Sequence, residues 1–406
     1  MRVRHEYWKN IFDVENTAKD NRNYFRFKYS FWGKADLNDD ISLYGKLTDE
    51  FKAYKYFPQS SGKKNLRLDT SEIVLDNLYL DVKNVFELPV DLRIGRQDFL
   101  FTHGEGFLLM DGTPYDGSRT FYFNAAKATW NINNDNSLDF IYINNPREDE
   151  FLPIINENDS AQRLNITDEE GYVLYLKSRV SDNLYVEPYY IFKHEEDDGG
   201  TRLQSETSKI HTPGVFVKYN IDPFVLRTQL AYQVGEYGHN DRQSLGGYFF
   251  LDRYFKEAKW SPKVSAGFVY LSGDDPSTSK NEGWDPLFSR WPWMSELYSL
   301  TYNGESGLDY WTNLEMYRVE LSLKPTDKSK LTFWYNYLRA EEVPTATSFG
   351  TGSGKDRGHL PQVKLEYKIN KDISTYILAE YFIPGDFHDD DSDEMLFLRT
   401  EITFKF

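Results

Sequence analysis

The feature that most constrains the fold is an alternation of apolar and polar residues, repeated in segments of about ten residues along the whole chain. In the first clear segment Phe25, Phe27 and Tyr29 fall on one face of a strand, and Arg26 and Lys28 fall on the other. Successive side chains of a β-strand point to opposite faces, so the pattern predicts strands with one apolar and one polar face. The number and uniformity of the segments favour an all-β fold, a single transmembrane antiparallel β-barrel, over a soluble sandwich.

Composition agrees with a barrel and excludes a helical membrane protein. No apolar stretch approaches the roughly 18 residues that a transmembrane helix needs, yet aromatic residues make up 17% of the 406 residues. In a barrel, lipid-facing and lumen-facing residues alternate, which keeps mean hydropathy low, while aromatic girdles lie at both membrane interfaces. No linker or compositional break divides the chain, so residues 1–406 are predicted to form one domain.

We count eighteen candidate strands, and their connections alternate in length. The strands begin near residues 2, 22, 41, 72, 90, 120, 137, 171, 184, 211, 224, 244, 263, 313, 330, 359, 373 and 394. The short connections include 38–40, 181–183, 220–223 and 370–372, and the long ones are 54–71, 100–119, 146–170, 273–312 and 342–358. Outer-membrane barrels have short periplasmic turns and long extracellular loops. The alternation therefore predicts that orientation, with both termini in the periplasm.

Four segments carry a family resemblance: 93–97 (RIGRQ), 273–275 (GDD), 283–298 with its WDPLF and RWP blocks, and 381–386 (YFIPGD). They resemble the alginate export family of outer-membrane proteins, over most of the chain and most firmly after residue 260. The resemblance implies an eighteen-stranded monomeric barrel with a narrow lumen, lined by arginine and lysine, that passes an anionic uronate polysaccharide. Those exporters close the periplasmic mouth with a long turn, and none of the short connections here is long enough. The sequence therefore leaves two possibilities, an open pore for small solutes and a channel for polymer export.

Strand parity assigns a set of basic side chains to the lumen. They are Arg26, Lys28, Lys46, Arg93, Lys177, Arg179, Lys193, Arg227, Arg318, Lys364 and Arg399. Acidic residues share these faces, namely Asp91, Glu187, Glu320, Glu366 and Glu401. One interpretation is a pore-lining ladder that binds carboxylates in turn, because guanidinium offers them bidentate geometry. The other is a network of ion pairs that stiffens the barrel and selects nothing.

The 273–312 connection contains too much apolar surface to remain in water. Its candidate residues for a constriction or lid are Trp284, Phe288, Arg290, Trp291 and Trp293. We expect it to fold back, either to constrict the lumen and contact sugar rings or to pack on the barrel rim as a lid, with the rim favoured. The 100–119 connection, rich in glycine, is a second candidate for folding inward.

Several classes of function are disfavoured. The formal charge of −17 argues against nucleic acid, which needs a basic surface. The histidines lack metal-ligand spacing, and no catalytic arrangement of serine, histidine and acid stands out, so no metal, cofactor or enzyme activity is predicted. The first residues contain no apolar signal segment, and we expect a secretory signal to have been removed. The expected location is the outer membrane of a Gram-negative bacterium, in contact with its lipid and lipopolysaccharide.

The sequence thus predicts a porin-like channel that passes small anionic solutes or anionic uronate saccharides by passive diffusion. Two alternatives remain. The first is a structural or interaction barrel that serves as a scaffold for a periplasmic or electron-transfer partner, motivated by the aromatic connection and the mixed lumen charges. The second is an outer-membrane hydrolase, because catalytic residues can assemble in space from distant parts of a chain.

Overall fold

The structure, a computed structural model, describes residues 1–11, 14, 21–56, 73–110, 123–153, 155, 165, 167–197, 206–289, 291–299, 311–343 and 352–406. In these residues the strands, numbered in chain order, are β1 (Arg2–Lys9), β2 (Arg22–Asp36), β3 (Ile41–Tyr56), β4 (Ile73–Val82), β5 (Val90–Gln97), β6 (Leu109–Met110), β7 (Phe123–Asn131), β8 (Asn136–Asn145), β9 (Glu169–Ser181), β10 (Leu184–Glu195), β11 (Ser208–Ile221), β12 (Phe224–Tyr237), β13 (Asn240–Tyr254), β14 (Lys263–Leu271), β15 (Phe288–Ser289), β16 (Leu314–Thr326), β17 (Ser329–Arg339), β18 (Asp356–Lys368), β19 (Ile373–Pro384) and β20 (Met395–Phe404). Short 3₁₀ turns occur at Val85–Glu87 and Gly104–Gly106.

Eighteen of these strands form one closed antiparallel sheet, and only β6 and β15 lie outside it. Each barrel strand pairs with its neighbours along the chain, and β20 closes the cylinder by pairing with β1, where Glu401 lies opposite Arg4. A closed sheet has no edge strand with unpaired backbone groups, which lipid could not hydrogen-bond. The predicted fold, an eighteen-stranded transmembrane β-barrel, is confirmed.

The eighteen predicted strands correspond one to one to the barrel strands. The largest difference in starting residue is four, at β13, which was predicted near 244 and begins at Asn240. The difference arises because only residues 238 and 239 join β12 to β13. This short connection lies at the end of the barrel where the other connections are long. We call that end the loop end and the opposite one the turn end. The longest connections at the turn end are 83–89 and 255–262.

The two faces of the barrel differ in exposure as the alternation predicts. On β12, Leu230 and Tyr232 are 55% and 44% exposed on the outer face, whereas Gln229 and Gln233 are 3% and 0% exposed inside. On β16, Tyr317 and Val319 are likewise exposed outward. These outward apolar side chains form the surface available to lipid. No helix in the described part of the chain is long and apolar enough to cross a membrane.

Replacing Leu230 by arginine tests the assignment of faces. The residue lies at the middle of β12 and points outward, so Leu230→Arg should lower the free energy of unfolding in lipid vesicles by about 2–4 kcal/mol. Ser374→Arg, on the lumen face of β19, is the control and should cost much less. Equal losses measured by denaturant titration would contradict the assignment.

Candidate functional site

Two connections from the loop end fold into the lumen. The first inner segment comprises residues 98–110, which follow β5, and the second comprises residues 272–299, which follow β14. Their short strands β6 and β15 pair in parallel, with Leu109 opposite Phe288. The two segments therefore form one inner layer. Arg290, which the sequence assigned to this layer, lies outside the described residues.

The first inner segment contacts two separate parts of the barrel wall. The His103 ring nitrogen Nε2 lies 2.9 Å from Asp139 Oδ2 on β8. The Glu105 carboxylate accepts hydrogen bonds from Arg227 Nη1 on β12, at 3.0 Å, and from Tyr248 Oη on β13, at 3.2 Å. Since β12 lies six strands from β5 in the eighteen-stranded sheet, the Glu105 contacts are a third of the way around the barrel from the start of this segment.

A glycine allows the close approach of this segment to β12. Gly104 has a φ of +52°, and a Cβ there would lie 2.7 Å from the side-chain amide of Gln229. A larger residue would have both an unfavourable backbone conformation and a steric clash. The glycine-rich composition of this connection thus has a local cause, a close approach of backbone to wall.

Aromatic side chains of the second inner segment pack against glycines of the wall. Trp284 stacks on Phe107 with ring centroids 5.3 Å apart. A Cβ on Gly246 of β13 would lie 2.4 Å from the Trp284 ring, and one on Gly171 of β9 would lie 2.4 Å from the Phe288 ring. Both glycines are on the lumen face of their strands. The structure therefore places Trp284 and Phe288 inside the lumen, not on the rim favoured from the sequence.

Trp291 and Trp293 continue this aromatic layer. The Trp291 indole Nε1 donates a hydrogen bond of 3.0 Å to the Gly106 carbonyl. The Trp293 ring lies 5.3 Å from Phe107 and 5.5 Å from Tyr248. Trp291 thus joins the second inner segment to the first, and Trp293 joins it to the first segment and to β13. The sequence could not predict which wall they contact, since the wall glycines become neighbours only in the closed barrel.

Glu380 on β19 holds the far end of the second inner segment. Its carboxylate accepts hydrogen bonds from the Ser295 hydroxyl and from the backbone N–H groups of Glu296, at 3.2 Å, and Leu297, at 3.0 Å. Residues 296–299 are helical, and an acid at the start of a helical turn satisfies donors that have no partner inside it. Glu380 was not among the residues predicted from the sequence. Because it follows the alternation and lies next to Tyr381, which points outward, the pattern would have assigned it to the lumen.

Within the described part of the chain, the ion pairs with carboxylates include nine of the predicted basic residues. The pairs are Arg26 with Glu50, Lys46 with Asp76, Arg93 with Asp81, Lys177 with Asp139, Arg179 with Asp182, Lys193 with Glu169 and Glu195, Arg227 with Glu105 and Asp252, Lys364 with Glu366, and Arg399 with Glu6 and Glu296. Lys28 lies opposite Arg2 on β1 and Glu50 on β3. The observed arrangement is the ion-pair network, whereas binding of a solute to these residues stays a prediction.

The positions of these basic residues differ in their access to the lumen. Lys193 is fully buried beneath the second inner segment, where its ammonium donates a hydrogen bond of 3.1 Å to the Leu287 carbonyl. Arg399 is buried beneath Glu296 of the same segment, with 2.6 Å between Nη1 and Oε1. Arg179 lies at the turn end and is largely exposed. Lys193 and Arg399 therefore stabilise the second inner segment, and Arg179 lines the mouth. None of the three faces a central pore.

Arg318 on β16 differs from the paired residues. Its Nη1 donates to Asn336 Oδ1 at 3.0 Å and lies 3.5 Å from Met294 Sδ, while the guanidinium lies 5.3 Å from the Trp334 ring centroid. Within the described part of the chain it forms no salt bridge. Because Met294 belongs to the second inner segment, this cation lies where that segment meets the wall.

His388, in the loop-end connection between β19 and β20, is a buried titratable group near this layer. Its ring lies edge-on to Phe382 and Phe387, with centroids 5.6 and 5.4 Å away. Burial, with a smaller contribution from the nearby Arg357 guanidinium, lowers the pKa of His388 to about 3. The imidazole is therefore neutral at physiological pH and packs as an aromatic ring.

Comparisons with known proteins agree with this architecture. A family model described as "Alginate export" matches residues 1–396. Among solved structures, Pseudomonas aeruginosa OpdK with vanillate is similar at a TM-score of 0.58 and 10% identity, covering 99% of this chain and 96% of that one. P. aeruginosa OccK11 (OpdR) and OccK5 (OpdH) both give a TM-score of 0.56 at 12% identity over 99% of this chain, covering 94% and 96% of their own. At these identities the likeness concerns the fold. No curated protein matches the chain in sequence.

Truncating Trp284 tests whether the inner layer narrows the lumen. Trp284→Ala removes the packing against Phe107 and Gly246, which should loosen the second inner segment by about 3–5 kcal/mol and raise single-channel conductance. Trp130→Ala, on the lipid face of β7, is the matched control and should leave conductance unchanged. An unaltered conductance in a correctly folded Trp284→Ala barrel would contradict the assignment.

The role of Glu380 is tested by hydrogen exchange. Glu380→Ala removes the acceptor of two backbone N–H groups, so the amides of Glu296 and Leu297 should exchange about tenfold faster, equivalent to about one hydrogen bond to a charged group. Exchange of β19 and β20 amides, measured by mass spectrometry in the same sample, serves as the internal control. Equal protection of 296 and 297 in both proteins would exclude this role.

Proposed function

Because the chain belongs to the alginate export family and is a porin-like barrel of the outer membrane, we propose that it is a passive channel for small anionic solutes, including uronate saccharides. The proposal has three parts: passage through the lumen, a preference for anions, and a limit on solute size. We also propose that it acts as a monomer in contact with outer-membrane lipid and lipopolysaccharide, after removal of a signal peptide.

The observation that carries the anion preference is the environment of Arg318. Most lumen cations are neutralised by a carboxylate within the network, so they contribute little net field. Arg318 forms no such pair in the described residues, and its hydrogen-bond partner is the neutral side chain of Asn336. An unpaired guanidinium in a restricted passage acts more strongly than one in bulk water. Glu320 and Glu380 attract Arg318 without forming a salt bridge with it, so a solute carboxylate can supply a direct ionic partner.

The size limit follows from the inner layer. The first inner segment reaches β12 and β13 through Glu105, and the second reaches β9 through Phe288 and β19 through the Glu380 cap. Both segments are thus held at wall contacts on different sides of the lumen. This geometry favours small solutes over a long polymer.

The class of solute agrees with one structural relative. P. aeruginosa OpdK, which shares the fold, was solved with vanillate, an aromatic carboxylate. The OpdK structure therefore supports small carboxylates as the class of solute, and it does not identify the individual compound.

The scaffold alternative also has an observation in its favour. The two inner segments meet in the lumen and pair through β6 and β15, as a seal would. A sealed barrel would conduct no ions in a planar bilayer and would admit no small solute into proteoliposomes. Measured conductance therefore separates the two functions before selectivity is examined.

Ion selectivity tests the channel proposal. In a potassium chloride gradient across a planar bilayer, the reversal potential of the wild-type channel should show a preference for chloride. Arg318→Ala should lower the anion-to-cation permeability ratio by roughly threefold to tenfold, the effect of one charge in a narrow passage. Arg179→Ala, at the exposed turn end and paired with Asp182, is the matched control and should change the ratio little. A cation preference in the wild type would refute the proposal.

A further inference from the structure

A cationic cavity lies between the inner layer and the turn end. Inward-facing side chains of β11 to β14, β16 and β17 line an open cavity of about 490 Å³, which we call the vestibule. Its charged lining residues are Lys218, Arg227, Asp252, Lys263, Glu320 and Lys330. The vestibule therefore contains four cations and two anions.

Both vestibule acids are already bound to cations. Asp252 Oδ2 lies 3.2 Å from Arg227 Nε, and Glu320 Oε1 lies 2.7 Å from Lys263 Nζ. Arg227 also pairs with Glu105 of the first inner segment. These pairs leave Lys218 and Lys330 as the two cations that the lining acids do not neutralise.

Lys218 lies beside a cation whose charge is already balanced. Its Cα lies directly opposite that of Arg227 in the β11–β12 register. Glu105 and Asp252 both pair with Arg227, so these two carboxylates are engaged by Arg227. In the part of the chain that the structure describes, Lys218 forms no salt bridge. Lys218 is therefore the cation of this opposed pair that a ligand carboxylate can contact.

Lys330 has only a weak partner of its own. Its ammonium lies 3.9 Å from Glu366 Oε2, and the two side chains are 44% and 40% exposed. A long, exposed ion pair of this kind contributes little. Lys330 is therefore available to a ligand at the opposite side of the vestibule from Lys218.

The cationic lining continues toward the turn end. An adjoining cavity of about 500 Å³ shares Tyr254, Lys263 and Lys330 with the vestibule and adds Lys324. The turn 255–262 helps to form this cavity, and its Trp260 carbonyl accepts a hydrogen bond of 2.7 Å from the Lys324 N–H. The lining thus stays basic from the vestibule to the mouth.

We infer that the vestibule is a binding site for a small dianion, a dicarboxylate held at one end by Lys218 and at the other by Lys330. Two cations without strong internal partners match two negative charges, and lysine ammonium groups bind carboxylates as point charges that release them readily. Weak binding is what a conducting channel requires, since a solute must also leave. The inference rests on the proposed function, because it assigns a binding position to a solute of that channel.

Calorimetric titration of the purified barrel in detergent tests the site. Glutarate is the probe, and butyrate at equal ionic strength is the monoanionic comparison. Saturable glutarate binding is expected, with affinity about fivefold higher than for butyrate, the effect of one partly exposed ion pair. Lys218→Gln and Lys330→Gln should each lower glutarate affinity about fivefold, and the double variant should show no saturation. Lys371→Gln, on the β18–β19 turn outside the vestibule, is the matched control and should bind as the wild type does.

The outcomes separate this inference from the proposed function. Absent or unsaturable glutarate binding in a wild-type channel that prefers chloride would overturn the vestibule site alone. Equal affinity for glutarate and butyrate would overturn the assignment to a dianion. A wild-type channel that prefers cations would overturn the proposed function, whatever the titration shows.

Discussion

The structure depends on one constraint: a chain that crosses lipid with strands must pair every backbone N–H and C=O group within the protein. The pairing of β20 with β1 meets this constraint by closing the sheet. Closure also fixes the alternation, because each strand then has one face toward lipid and one toward the lumen. The low mean hydropathy and the high aromatic content of the chain both follow from that division.

A closed sheet of this size leaves an interior too wide for wall side chains alone to fill. The chain fills it from the loop end with two inner segments, and the wall accommodates them with glycines at Gly171 and Gly246. The ion pairs of the lumen stabilise the remaining polar wall. Among the described residues Arg318 and Lys218 form no salt bridge; Arg318 lies where the second inner segment meets the wall, and Lys218 lines the vestibule. The proposed function and the vestibule site come from these two residues.

Much of the fold was predictable from the sequence, because a period of two and the length of connections are local properties. Leu230 and Gln229 could be assigned to opposite faces without knowing their neighbours. The inner layer could be predicted only in part: the tryptophans near residue 290 indicated infolding, but their contacts with Gly246 and Phe107 depend on strands and loops distant in sequence. The same holds for ion pairs. Parity placed Arg318 in the lumen, whereas its neighbours Asn336 and Met294, and the absence of a salt bridge among the described residues, follow only from the register of β16 with β17 and from the position of the second inner segment.

Small anions are expected to pass this barrel more readily than cations of the same size. Proteoliposome swelling measures this directly, with glucuronate and glucosamine as permeants of similar size and opposite charge. Swelling should be faster in glucuronate than in glucosamine, and Arg318→Ala should reduce the difference. Equal rates, faster entry of glucosamine, or no swelling in either solute would contradict this expectation.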